Sequence, residues 1–300
     1  MKGTAFGLGV YYSAENNYYY SFGVNANVSK KNKTNGEFSL KVVGFFDQIK
    51  MIYPTEFIPV KATTPLDSSL QLHYITTASG RTELVNLNGN VIGKSHSPEI
   101  PSKPRNTLTA SFSFSQIINQ RMQGSIEMDM VYQNGYLGLP FHRVFLNTSP
   151  ITDSIEKLPS QRLKLPIGFR LNYFLGDNVI LRSYYRFYVD SWGLVSNTFN
   201  LEVPVKITPF VSISPFYRYY MQTAVSYFAP YAVHSPSEQY YTSNYALAAF
   251  NSNMFGAGLR LAPPRGVLMS GLRILELRYA HYTQTTDLNA NIISLNLVFK

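Results

Sequence analysis

The sequence has no cysteine and a single tryptophan in 300 residues. Without cysteine there is no disulfide framework, no thiolate nucleophile and no thiolate metal site. Charge is sparse too. Asp, Glu, Lys and Arg together make up 14%, against roughly 25% in an ordinary soluble domain. No run of about 18 apolar residues occurs, so no transmembrane helix is expected. The chain opens directly into strand pattern, with no apolar signal segment. An exported protein needs one, so a mature or trimmed chain is expected. The histidines (His73, His96, His142, His234, His281) are scattered, with no His-x-x-x-His pair. No metal site or other cofactor is expected. No nucleophile elbow, P-loop or dinucleotide fingerprint occurs, and the chain reads as a non-enzyme.

Aromatics are abundant. They reach 15%, with 23 Tyr and 20 Phe. A Tyr-rich, charge-poor chain without long apolar runs has the composition of a transmembrane β-barrel. The net charge is +9. Many basic residues stand singly within strand patterns instead of clustering on a helix or loop, so a nucleic-acid partner is not expected.

Residues 167–188, IGFRLNYFLGDNVILRSYYRFY, carry the pattern that organises the rest. Ile167, Phe169, Leu171 and Tyr173 alternate with Gly168, Arg170, Asn172 and Phe174. After Gly176-Asp177 the alternation resumes, with Val179, Leu181, Tyr185 and Phe187 against Arg182, Tyr184, Arg186 and Tyr188. Side chains in a strand alternate between faces, so each run has one apolar and one polar or basic face. Gly-Asp between two such runs is hairpin chemistry. With no helix to cover the apolar face, lipid is the candidate cover.

The same alternation predicts strands over 4–12, 18–29, 37–47, 107–116, 121–133, 197–206, 211–222, 253–261, 272–282 and 289–299. Pro204 and Pro215 lie inside two of them and predict a local kink, because proline removes a ladder bond. Each run is about the length that a tilted strand needs to cross a bilayer. Long loops are expected at 48–104, 134–162 and 224–248, the first with a small hairpin at 71–76 and 82–91. All three fall at the same end of an up-and-down sheet. That is the asymmetry of outer-membrane barrels, and an even strand count favours closure. The expected fold is all-β: one transmembrane up-and-down antiparallel barrel of about twelve strands over residues 1–300.

Four stretches carry a resemblance. They are YQNGYLGLPFHRVF at 132–145, the hairpin at 167–188, PFYRYYMQTAVSYFAPY at 215–231 and NANIISLNLVFK at 289–300. The chain resembles an uncharacterised family of Gram-negative outer-membrane proteins, known by a domain-of-unknown-function label. The resemblance implies an exported outer-membrane barrel. It supplies no activity, substrate or catalytic residue.

The inward charges are the strongest functional signal. The polar faces carry Lys41, Arg121, Lys164, Arg170, Arg182, Arg186, Lys206, Arg218, Arg260 and Arg278, opposed by Glu37, Glu127, Asp129, Glu202 and Glu276. One reading is a basic lumen that passes or binds anions such as acidic sugars or phosphorylated solutes, narrowed by the loop 48–104. The other is a closed structural or interaction barrel. Its charges form a ladder that locks the walls, and its outer loops dock a partner protein. Tyr11, Tyr12, Tyr18, Tyr132 and Tyr136 are expected in an interfacial girdle. The loop aromatics Tyr227, Phe228, Tyr231, Tyr240, Tyr241 and Tyr245 either cap the mouth or bind a glycan or partner. Phe299 ends a run like the C-terminal assembly signal of outer-membrane proteins, although Lys300 follows it. Outer-membrane lipid and the barrel assembly machinery are the expected partners, in the bacterial outer membrane.

Overall fold

The computed structural model describes residues 3–15, 18–52, 73–76, 82–85, 91–93, 101–267 and 271–299. In chain order the strands are β1 (Thr4–Glu15), β2 (Tyr19–Lys31), β3 (Gly36–Lys50), β4 (His73–Thr76), β5 (Thr82–Val85) and β6 (Val91–Gly93). Then come β7 (Ser102–Asn119), β8 (Met122–Gly135), β9 (Arg143–Leu146), β10 (Thr152–Ile155), β11 (Gln161–Leu175) and β12 (Val179–Asp190). The last are β13 (Val195–Glu202), β14 (Val205–Thr208), β15 (Val211–Gln222), β16 (Phe250–Leu261), β17 (Leu272–Gln284) and β18 (Leu288–Phe299).

One antiparallel sheet takes thirteen of these strands, in the order β1-β2-β3-β7-β8-β11-β12-β13-β15-β16-β17-β18, with β14 pairing β12 and β15. β13 and β14 share one position, so the sheet has the expected up-and-down course. The interruption falls at Pro204. It carries no N–H for the ladder, and its carbonyl accepts from Ile180 N at 3.0 Å. A register shift at Lys206/Thr208 follows, so the kink expected from Pro204 is present. Pro215 instead lies inside the unbroken β15. Gly176 turns the organising hairpin with φ 65°, and β11 pairs β12 from Leu175↔Val179 to Lys164↔Asp190. β11 starts before Pro166 and reaches further than the alternation alone indicates.

The apolar face is left open to its surroundings across the sheet. Phe38, Phe112, Met128, Phe169, Tyr185, Phe199, Tyr217, Phe255 and Leu277 are all exposed on it. The polar face is concave. Arg278 Nη1 on β17 reaches Glu202 Oε1 on β13 at 3.2 Å, across the two intervening strands β15 and β16. Three strand spacings of a flat sheet come to about 14 Å, so the sheet curls toward this face. Among the described residues, no register joins β1 to β18. The outward side chains of these two strands are correspondingly bare: Leu8 is 87% exposed and Ile293 72%, against 46% for Phe169 within the sheet.

All three long connections leave one end. From 48–104 the described parts are the end of β3, the residues leading to it and to β7, and the three-stranded sheet β4-β5-β6, in which β4 and β5 form the expected hairpin. The rest of that loop lies outside the described residues. The other two loops fold on one another. Trp192, Leu194 and Val225 form a buried cluster, packed by Leu137, Leu158, Tyr188, Tyr227, Phe228 and Leu247. Polar straps tie it together. Glu156 Oε2 accepts from Thr242 Oγ1 at 2.7 Å, and Lys157 and Tyr241 exchange both backbone bonds at 2.8 and 3.0 Å. The loop aromatics pack edge-on within it: Tyr227 meets Trp192 and Tyr240, and Phe228 meets Tyr245.

Candidate functional site

Cross-strand register places the charged residues named from the sequence. Lys41, Lys164, Arg170, Arg182, Arg186, Lys206, Arg218, Arg260 and Arg278 all lie on the concave face, as do Glu37, Glu127, Asp129, Glu202 and Glu276. Arg121 does not lie on a strand. It sits in the turn between β7 and β8, where its amide donates to Asn119 Oδ1. The turn is tight, and β8 begins one residue later than the alternation indicates.

Some of these charges pair. Arg170 Nη2 lies 3.7 Å from Glu127 Oε1, and Arg278 bridges Glu202 and Glu276 at 3.2 and 3.4 Å. Arg182 stands directly opposite Glu202 in the register, yet that carboxylate turns to Arg278. Arg182, Arg186, Arg218 and Arg260 are exposed and have no ion pair among the described residues.

Two rows of the sheet explain what comes together. In one, Arg170, Tyr184, Asn200, Arg218 and Met254 follow each other from strand to strand. In the next row toward the loop end stand Gly168, Arg186, Thr198, Tyr220 and Ser252. Curling brings these rows around a chamber of about 450 Å³ lined by Arg186, Arg218, Tyr184, Tyr220, Tyr282 and Phe250 together with Thr198 and Ser252. A smaller chamber of about 240 Å³ lies toward the loops and shares Arg186, adding Arg162. A third, about 280 Å³, lies on the other side, shares Arg218 and adds Arg278. The chambers form a series along the strands, with Arg162, Arg186, Arg218 and Arg278 in succession. The two end guanidiniums are paired with carboxylates, and the two middle ones are not.

The loop cap meets this series. Gln222 Nε2 donates to Ala246 O at 3.1 Å and Ala248 O at 2.5 Å, which draws the one-turn 3-10 segment Tyr245–Leu247 onto the concave face. Ala246 and Leu247 therefore line the first chamber. This contact belongs to 224–248; most of 48–104, the loop expected to narrow the path, lies outside the described residues.

Several residues of the site were not singled out from the sequence. Asp190 is a hub at the end of β12. Its Oδ2 accepts from Arg162 Nε at 2.9 Å and Tyr188 Oη at 2.7 Å, and its Oδ1 accepts from the Trp192 and Leu194 amides. Arg162 also lies over the Trp192 ring at 4.2 Å, and Trp192 Nε1 donates to Gln161 O. Their signal was the continuation of the hairpin alternation past Pro166 and Tyr188. The girdle expectation needs one correction: Tyr11 faces the concave side, where Gly23 leaves room for it and its ring meets Phe45 at 6.1 Å. Tyr136 lies beneath Lys103 Nζ, at 5.1 Å. Tyr12, Tyr18 and Tyr132 are exposed on the outward parity. His142 is half-buried within its loop, where its amide donates to Leu139 O and its carbonyl accepts from the Glu156 amide.

The family described as a protein of unknown function (DUF3570) matches residues 1–296. The chain belongs to this family. Solved structures similar to this DUF3570 chain include the in-vitro folded trimer form of OmpT, an outer membrane protein of Vibrio cholerae. It is 10% identical with a TM-score of 0.35, over 99% of this chain and 93% of that one. A loop L8 deletion mutant of the same protein is 12% identical with a TM-score of 0.39, over 98% and 95%. BamA from Haemophilus ducreyi lacking POTRA domains 1-3 is 9% identical with a TM-score of 0.36, over 94% and 57%. No curated protein matches the chain.

Proposed function

We propose that this DUF3570 chain is an outer-membrane β-barrel whose concave basic face lines an anion-preferring channel or uptake path. Its exposed aromatic face suits lipid, since an open apolar surface of this extent is covered by no other part of the described residues. The free edges of β1 and β18 are costly in a hydrocarbon phase without water. The two strands run antiparallel, and the residues that continue the concave face (Gly7, Gly9 and Tyr11; Ile292, Ser294 and Asn296) permit them to pair. The observation that carries the channel reading is the unpaired set Arg182, Arg186, Arg218 and Arg260. A charge ladder that filled the interior would pair its guanidiniums, because a buried unpaired charge is expensive. Exposed guanidiniums instead set anion preference.

Planar-bilayer conductance of the refolded protein tests this, with selectivity taken from the reversal potential in a KCl gradient. Stable anion-selective steps are expected, with selectivity reduced in Arg182→Ala and Arg218→Ala. A folded, inserted protein that passes no current overturns the channel reading and leaves a closed barrel with the loops as its working surface.

A further inference from the structure

The middle chamber differs from its neighbours in a way that points to a ligand. Its two guanidiniums, Arg186 and Arg218, have no ion pair among the described residues, and no carboxylate lines it. The flanking chambers each contain an arginine already engaged by an acid, Arg162 with Asp190 and Arg278 with Glu202 and Glu276. The rest of its wall is ring surface and hydroxyl. Tyr220 and Phe250 lie with centroids 5.5 Å apart. The Tyr220 and Tyr282 hydroxyls each donate to a glutamine, Gln222 and Gln284, at 2.5 Å. Those bonds fix the rings and leave the hydroxyl oxygens free to accept.

We propose that the chamber binds a monosaccharide that carries a carboxylate or phosphate. It rests on the reading of the concave face as solute-facing. The inference follows from the three kinds of surface present together. Two forked guanidiniums match the geometry of a carboxylate or phosphate. Flat aromatic rings cover the C–H face of a pyranose. Thr198, Ser252 and the tyrosine hydroxyls bond the ring hydroxyls. A bare inorganic anion uses the first of these alone, and a neutral sugar uses the other two. The volume, about 450 Å³, lies within the range of small-molecule sites. It lies next to the chamber that Gln222 and the loop residues Ala246 and Leu247 line, with Arg186 shared between the two.

Titration calorimetry on the folded protein in detergent tests it, with glucose 6-phosphate and glucuronate as probes and glucose and inorganic phosphate as the separated halves. Both anionic sugars are expected to bind, and each half to bind about tenfold more weakly or worse. The double variant Arg186→Lys/Arg218→Lys keeps both charges but loses both forks. It should lower the affinity for the anionic sugars about tenfold while leaving the reversal potential in place. Arg265→Ala, a charge loss in the turn after β16, controls for net charge and should bind as the parent does. Unchanged affinity in the lysine variant overturns the proposal, and so does phosphate binding as tightly as glucose 6-phosphate. Anion-selective current without sugar binding overturns this site alone. Sugar binding without current overturns the channel reading and keeps the site.

Discussion

At the scale of single residues, the face of each charge follows from parity and its partner does not. Alternation was enough to put Arg170, Arg186 and Arg218 on one face, because successive Cβ atoms point to opposite sides of a strand. It gave no hint that Glu202 would leave Arg182, its cross-strand neighbour, for Arg278 across two further strands. That choice depends on curvature, which no residue pair encodes locally. Asp190 was missed for a related reason. It joins Arg162, a turn amide pair and the Tyr188 hydroxyl, and its side chain is fully buried. Removing one member of such a buried, hydrogen-bonded pair leaves the other uncompensated. Asp190→Ala is expected to cost about 3–5 kcal/mol, measured as a fall in the denaturant midpoint of the refolded protein. Asp177→Ala, in the exposed turn of the same hairpin, should change it little.

At the scale of elements, the wall strands were legible and the cap was not. Wall strands announce themselves by alternation over ten or so residues. The cap is built from short pieces, β9, β10 and a single 3-10 turn, whose order comes from contacts between distant parts of the chain. Thr242 reaches Glu156 from 86 residues away. Loop aromatics such as Tyr227 and Phe228 left a mouth cap and a binding surface equally open in sequence; in the structure they pack into the cap. The strap between the loops has a consequence for current. Glu156→Ala removes the acceptor of both the Leu139 amide and the Thr242 hydroxyl, both of which are held by its carboxylate. The segment Tyr245–Leu247 should then sit less firmly on Gln222. Single-channel records are expected to show larger and noisier steps than the parent, with ion selectivity kept, since no concave-face arginine has changed.

At the scale of the whole molecule, closure of the wall turns on the meeting of β1 and β18. The up-and-down course makes these strands antiparallel, and their concave-side residues have matching parity, so a seam needs no rearrangement of the sheet. A chain without cysteine offers a clean test. Val10→Cys combined in turn with Ile293→Cys, Leu295→Cys and Leu297→Cys scans the outward positions for the register of the seam. In membrane-inserted protein, one of these pairs should form a disulfide in high yield on mild oxidation, seen as a shift in unheated gel mobility. A disulfide needs Cα atoms within about 7 Å. Absence of any such bond across the scan would mean that the two edges face something other than each other.

Among the described residues, the cap holds a buried apolar cluster. Trp192, Leu194, Val225 and Val144 are buried there, while the wall strands leave most of their large apolar side chains exposed. Outer-membrane barrels carry their long loops on the outer side, so in the barrel proposed here the surface offered to the outside is a folded epitope and not a set of loose peptides. Antisera raised against the linear segment 224–248 should pass over the native protein. Antibodies raised against the native protein should lose their target when Glu156 is removed, with every residue of the peptide still in place.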